Sequence, residues 1–208
     1  MKWKGIKTLA IAGLLMLAIT FAMATPAEAV TDLRITDHNL NTLNSFTYSG
    51  AWYNVGTDSY LLKWYGGGEY FEPPHKAPAI YYGIITATIM ADYGGNFWGQ
   101  CVSMVKNLAH STVATEEWYR GRRITDGGVS SGTTIATFVW NPAKGRYTYS
   151  GHAAIFREYT YDSYGKINGM IVWDQNWYKN NKKPEPEGIV AMHKIAKASA
   201  SSYYVIQV

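Results

Sequence analysis

The chain has 208 residues, 47% of them hydrophobic, and a formal net charge of +4. This length suits a single domain with a sizeable core. The chain contains one cysteine, which excludes an intrachain disulfide, so a packed core must hold the fold. Three lysines and Glu28 lie within residues 1–29, and without that segment the net charge falls to +2. Such a small net charge does not favour binding to nucleic acid.

The first 29 residues have the pattern of a secretory signal peptide. Lysines precede an apolar run from Leu9 to Met23, and Ala27-Glu28-Ala29 follows it. The run is shorter than the roughly 20 residues that a membrane-spanning helix needs, and no later segment is long enough either. We therefore expect cleavage after Ala29 and a mature protein that is secreted or held in the cell envelope. Contact with a membrane is expected only during export, the alternative being an uncleaved tether.

Within the first region of the chain, residues 30–92, the segment 46–82 is rich in aromatic side chains and is interrupted by Gly66-Gly67-Gly68 and Pro73-Pro74. These features predict short strands or irregular loops. The aromatic residues are expected mainly to build core or line a cleft, and the alternative is a platform on which sugar rings stack. No linker marks a boundary near residue 92, so this region is predicted to belong to the same globule as residues 93–208.

A helix is predicted to begin at Cys101. The side chains of Cys101, Met104, Val105 and Leu108 follow the i, i+3, i+4, i+7 spacing of one helix face. Cys101 would then lie at the helix N-terminus, where unpaired amides and the helix dipole favour a thiolate. His110 would lie on the opposite face, because nine residues turn a helix by about 900°, and it is a poor candidate for a base.

Strands are predicted downstream of the helix. Thr133–Phe138 and His152–Tyr161 are rich in β-branched and aromatic residues, and Asp162-Ser163-Tyr164-Gly165 provides a turn into a strand over Ile167–Trp173. The hairpin brings His152 near Asp174, and alternation along the strands is expected to face both toward the helix terminus. The last two strands are predicted over Gly188–Lys194 and Tyr203–Val208.

The other histidines and basic clusters have simpler interpretations. Three histidines lack partners at metal-ligand spacing and are expected to be surface or structural residues: His38, His75 and His193. The basic clusters are expected to be solvated, and they comprise Arg120, Arg122, Arg123 and the run Lys179 to Lys183.

Three separated segments resemble the CHAP family, cysteine- and histidine-dependent amidases and peptidases of the papain-like superfamily, many of which cut peptidoglycan. The family shows Gly-Gln-Cys at a helix start, Gly-His-Val/Ala-x-Ile on a strand, and Glu-x-Asn with an aromatic residue on the next strand. This chain has Gly99-Gln100-Cys101, Gly151-His152-Ala153-Ala154-Ile155 and Asp174-Gln175-Asn176-Trp177 in that order. The resemblance covers about residues 93–208, and it departs from the family at Asp174, where glutamate is usual.

The resemblance implies an α+β fold of the papain-like type, in which a helix carrying Cys101 packs on an antiparallel sheet. It also implies a thiolate nucleophile at Cys101, a base at His152, and no metal or organic cofactor. Either Asp174 or Asn176 would orient the imidazole. The Cys101 backbone amide and one further donor would stabilise the oxyanion. The candidates for that further donor are Gln100, Asn96 and Tyr93.

These observations predict an exported cysteine amidase or endopeptidase that hydrolyses an amide bond, in cell-wall peptide or in protein. The alternative is a catalytically silent papain-like module that binds wall peptide or glycan. An antibacterial effector toxin of the same chemistry is a third interpretation, although a signal peptide argues against direct injection. We also predict that Asp174→Ala lowers activity more than Gln175→Ala, since residue 175 points to the opposite face of its strand.

Overall fold

A computed structural model of the chain describes residues 30–48, 52–56, 59–62, 79–82, 85–88, 90–176 and 188–208. The predicted signal peptide, His75, Trp177 and the run Lys179 to Lys183 lie outside these residues, as do most of the aromatic side chains predicted in residues 46–82. Among the described residues, no helix has the length and apolar character needed to cross a membrane.

The described residues form an α+β structure, as predicted. Its three helices are α1 Asp37–Tyr48, α2 Cys101–Leu108 and α3 Lys197–Ala200, with short 3-10 turns at Thr115–Glu117 and Ile124–Asp126. Its strands are β1 Trp52–Gly56, β2 Ser59–Leu62, β3 Ala79–Tyr82, β4 Ile85–Thr88, β5 Tyr119–Arg123, β6 Thr134–Asn141, β7 Arg146–Tyr161, β8 Ile167–Gln175, β9 Val190–Ala196 and β10 Tyr203–Gln207.

Eight of these strands form one sheet in the order β1-β2-β9-β8-β7-β6-β10-β5, and every neighbouring pair is antiparallel. Strands β3 and β4 form a separate antiparallel pair. The predicted hairpin between β7 and β8 is confirmed: the Asp162 amide donates to the Lys166 carbonyl at 2.9 Å. The Asp162 carboxylate accepts bonds from the Tyr164 and Lys166 amides, which explains why this turn is sharp.

Helix α1 lies partly in the region for which strands or loops were predicted, so that prediction was wrong at residues 46–48. Thr36 precedes the helix and its hydroxyl accepts the Asn39 amide at 3.2 Å, which is an N-terminal cap. Leu43 and Phe46, three residues apart, are both buried and pack in the same core as α2. The first described residues therefore complete the core around the predicted helix.

The two faces of the sheet carry two apolar clusters. Ala153, Ile155 and Trp173 pack with α2 on one face, whereas Phe156 and Val172, which lie opposite each other in β7 and β8, pack on the other face. By simple alternation His152 and Asp174 would share the face of Phe156 and Val172, which packs away from α2, so alternation does not explain how His152 reaches the helix terminus. A local irregularity in β7, rather than simple alternation, determines where His152 points.

Candidate active site

Cys101 is the first residue of α2, as the sequence predicts. Gly99 has a φ of 76°, a value that glycine adopts readily, and Gln100 is extended and forms the N-cap. The Gln100 side chain makes no capping bond, while its carbonyl accepts the Ser103 amide at 3.0 Å. The Cys101 side chain is buried and lies at the positive end of the helix dipole.

His152 lies at a bulge in β7. Ala136 and Phe138 of β6 pair with Ala153 and Tyr149, so β7 has two extra residues at this point. Gly151 has a φ of 98°, and a Cβ at this position would lie 2.7 Å from the Thr137 hydroxyl. That hydroxyl accepts the His152 amide at 3.0 Å and donates to the Ser150 carbonyl. The Thr137 hydroxyl stabilises the bulge, and the bulge changes the direction of the His152 side chain from the one that regular strand alternation would give.

Asp174 is the acidic group that contacts the imidazole. Its Oδ2 lies 2.7 Å from Nε2 of His152, and the residue is only 1% exposed. Asn176, the other residue proposed from the sequence, has a φ of 63° and follows the last residue of β8. Its Oδ1 makes no hydrogen bond within the described part of the chain. The structure thus places Asp174, and not Asn176, against the histidine.

The thiol and the imidazole perturb each other. Burial alone raises the pKa of the Cys101 thiol, but the hydrogen bond and positive charge of His152, with smaller contributions from Tyr149 and the Ala153 amide, lower it overall. Burial likewise opposes a charged imidazole, and hydrogen bonds to Asp174 and Cys101 outweigh it and raise the pKa of His152 to about 10. Since Nε2 faces Asp174, Nδ1 is the nitrogen left for the thiol. The arrangement favours a thiolate beside an imidazolium.

Tyr149 is part of this cluster although the sequence analysis did not single it out. Its hydroxyl lies 3.6 Å from Sγ of Cys101 and donates to the Gly151 carbonyl at 3.0 Å. The ring packs edge-on against the fully buried Trp118. Burial, followed by the negative charge of Cys101, raises the pKa of Tyr149, so it remains a neutral hydroxyl at physiological pH. The bulge between Tyr149 and His152 brings both side chains to one sulfur, which strand alternation does not predict.

The three candidates for the second oxyanion donor differ in their contacts. The Asn96 side-chain amide donates to the Gly94 carbonyl within its own loop. Tyr93 stacks on His110, with ring centroids 4.9 Å apart. The exposed Gln100, next to Cys101, has a side chain that does not cap the helix. His110 itself lies beyond the end of α2, so its predicted position on the opposite helix face was wrong.

Gln175 holds the segment that precedes Cys101. It lies on the opposite strand face from Asp174, as expected, but this face meets the loop that leads into α2. Its Oε1 accepts the Met90 amide at 2.6 Å, and its Nε2 donates to the carbonyls of Met90 and Gln100 at 2.9 Å each. A fully buried side chain therefore ties the N-cap residue of the helix to the end of β8.

His193 and Tyr203 lie behind Asp174. Nδ1 of the buried His193 is 3.4 Å from Oδ1 of Asp174, and burial lowers the pKa of His193 more than the carboxylate raises it. Burial and the charge of Asp174 raise the pKa of Tyr203. Both groups are therefore neutral near pH 7, which leaves His152 as the charged partner of Asp174. The described residues contain no group of three His, Cys, Asp or Glu side chains that could hold a metal ion.

The fold and this cluster define an α+β protein in which a thiol at a helix N-terminus lies beside an imidazole and a carboxylate from adjacent antiparallel strands. The sequence profile of the domesticated amidase effector 2 (Dae2) family matches residues 76–206, more than half of the chain. The chain belongs to that family. No curated protein and no solved structure shows significant similarity to it.

Proposed function

We propose that the protein is a secreted, papain-like cysteine amidase that hydrolyses an amide bond in cell-wall peptide. The observation that carries the proposal is the contact of one imidazole with both Cys101 and the buried Asp174. The amidase family supports hydrolysis of an amide. The charged leader-like segment of residues 1–29 supports export to where wall polymers are found. The motifs shared with the CHAP family support a papain-like mechanism.

In the first step, the Cys101 thiolate attacks the carbonyl carbon of the scissile amide, and a C–S bond forms. The negative charge that develops on the carbonyl oxygen is met by the Cys101 backbone amide and by one further donor, for which Gln100 is the best-placed of the three candidates. His152 donates its Nδ1 proton to the leaving nitrogen, and the C–N bond breaks. A thioester to Cys101 and a free amine result.

In the second step, His152 accepts a proton from water, and the resulting hydroxide attacks the thioester carbonyl. The C–S bond breaks, a carboxylic acid leaves, and the thiolate–imidazolium pair returns. Asp174 fixes the ring so that Nδ1 faces the sulfur throughout. The Tyr149 hydroxyl, which donates its one proton to the Gly151 carbonyl and lies 3.6 Å from Sγ, can turn that proton to the thiolate, and this attraction ends when the sulfur becomes part of a neutral thioester.

The test is hydrolysis of purified peptidoglycan by the mature protein, measured as new free amino groups. Cys101→Ala and His152→Ala are expected to abolish release while leaving the melting temperature close to that of the wild type. A variant of an exposed residue away from the cluster, Lys166→Ala, is the matched control. Release that persists in Cys101→Ala would refute the hydrolase mechanism, whereas binding without release in the wild type would identify a silent binding module.

A further inference from the structure

A cluster of arginine and tyrosine side chains joins strands β5, β7 and β10. The guanidinium carbon of Arg120 is 3.3 Å from the centroid of the Tyr147 ring and 4.8 Å from that of Tyr204. Arg123 lies 5.4 Å from the same Tyr204 ring and donates to its hydroxyl. Arg120 is half-buried rather than fully solvated as the sequence suggested. The two rings hold this cation in a fixed position.

The register of the sheet relates Arg120 to the thiol. Tyr147 and Tyr149 are two residues apart in a regular part of β7, where they pair with Trp140 and Phe138, so their side chains share one face. Their Cα atoms are then about 7 Å apart along the strand. Tyr149 touches Sγ of Cys101. The Arg120 guanidinium, stacked on Tyr147, therefore lies about two residues of extended peptide from the reacting sulfur.

The guanidinium N–H groups of Arg120 have no hydrogen-bond acceptor among the described residues. Within the described residues it makes no hydrogen bond and no ion pair, and the one arginine–carboxylate pair found there joins Arg157 to Glu158. Stacking uses the flat face of the guanidinium and leaves its N–H edge open, the geometry that binds a carboxylate through two parallel bonds. Arg123 is less suitable, because it already bonds Tyr204 and senses the charge of Asp126.

We propose that Arg120, stacked on Tyr147, binds a carboxylate of the substrate about two residues from the scissile amide, so that the site selects acidic peptides. This inference rests on the proposed function, since it treats the Cys101 thiolate as the reacting group. The occupant is an acidic wall peptide, because the unpaired positive charge and the aromatic surface complement a carboxylate on an extended chain. Arg120 is then a specificity-determining residue.

The experiment uses the mature Cys101→Ala protein, which cannot consume the ligand. The probes are fluorescent muropeptides in two forms, one with free stem-peptide carboxylates and one in which carbodiimide and ammonia have converted them to amides. Affinity is measured for the Cys101→Ala protein alone and with Arg120→Gln, Arg120→Lys or Arg122→Gln added. Arg122 is the matched control, because it lies on the same strand and donates to the Gly128 carbonyl.

Amidation is expected to weaken binding about tenfold, the value of one charge-assisted pair. Arg120→Gln should weaken binding of the free acid by a similar factor and leave binding of the amidated form unchanged. Arg120→Lys should retain part of the preference, and Arg122→Gln all of it. Equal affinity for both probes, no binding of either, or equal losses in Arg120→Gln and Arg122→Gln would overturn the proposal.

Wild-type hydrolysis of the same two preparations tests the proposed function separately. Cleavage of the free acid with a lower KM than that of the amidated form is expected. If neither form is cleaved but the binding preference depends on Arg120, the hydrolase is refuted and the carboxylate site stands. If both are cleaved equally well, the hydrolase stands and the carboxylate site is refuted.

Discussion

Replacement of Gln175 by alanine should destabilise the protein and weaken the candidate site. The substitution removes the partner of the Met90 amide, whereas the Met90 and Gln100 carbonyls still accept the Gly99 and Ser103 amides. An orphaned buried amide costs about 1–3 kcal/mol, and each of the other two lost bonds costs about 1 kcal/mol. The free energy of unfolding should therefore fall by about 3–5 kcal/mol.

That loss corresponds to a decrease of about 10 °C in the melting temperature for a chain of this size. Thermal unfolding followed by circular dichroism measures it. Gln207→Ala is the matched control, because Gln207 makes one exposed side-chain bond, to Asp32 at 2.8 Å, and should change stability by less than about 0.5 kcal/mol. If Gln175→Ala lies within about 1 kcal/mol of that control, Gln175 does not anchor the loop.

Substitutions at Asp174, Tyr149 and Gly188 and one pH profile test the other parts of the site. Asp174→Asn keeps a hydrogen-bond acceptor but removes the charge beside His152, so kcat/KM for peptidoglycan should fall about 10- to 100-fold, and Asp174→Ala should lose more. Tyr149→Phe keeps the packing on Trp118 but loses the hydroxyl, whose hydrogen bond lowers the pKa of the thiol, so that pKa should rise in alkylation profiles. An unchanged profile would remove Tyr149 from the mechanism. Gly188 has a φ of 86°, and Gly188→Ala would place a Cβ 2.5 Å from the Gly99 Cα. This substitution should lower the urea midpoint of unfolding more than the control Gly165→Ala, where a Cβ meets no atom within 4 Å. Equal midpoints would contradict the close packing of the loops that contain Gly188 and Gly99. The wild-type kcat/KM should rise with pH as the Cys101 thiolate forms, at a pH below the ordinary thiol pKa of about 8.5. It should fall again as the pH passes the pKa of about 10 of His152. A pH optimum that the Asp174→Asn substitution does not move would contradict this assignment.

The parts of the fold that sequence could predict depend on local patterns. The spacing of Cys101, Met104, Val105 and Leu108 is enough to predict α2, because one helix face is buried. The turn at Asp162 fixes the β7–β8 hairpin, and it brings His152 near Asp174 without knowledge of the rest of the fold. These predictions succeeded because each rests on residues that are close in the chain or joined by a short turn.

The parts that could not be predicted depend on contacts between distant segments. Gln175 meets Met90 and Gln100 across 85 and 75 positions of sequence, and nothing local marks it as an anchor. Tyr149 and His152 are three residues apart, so regular alternation would put them on opposite faces, and they reach one sulfur because β7 bulges between them. Gly151 was the available signal, since an isolated glycine within a strand indicates a bulge or a close approach of backbone.

The contacts of His152 could be predicted from a local turn, whereas those of His193 depend on a strand that is distant in the sequence. Strand order and the turn bring His152 to Asp174, but the burial of His193 beside the same carboxylate depends on β9, which pairs with β8 from the other side. Val172 lies opposite His193, so Asp174 is its diagonal neighbour on that face. A sequence pattern without metal-ligand spacing gave no reason to expect a metal site, and it carried no information about this packing.

The most direct test of the central claim is the rate at which iodoacetamide labels Cys101 between about pH 4 and 9 in the wild type and in His152→Ala. A histidine-activated thiolate predicts fast labelling well below the ordinary thiol pKa of about 8.5 in the wild type. It predicts that the fast phase disappears in His152→Ala, with both proteins folded. Slow labelling that follows an ordinary thiol in the wild type, or the same profile in both proteins, would contradict a histidine-activated thiolate.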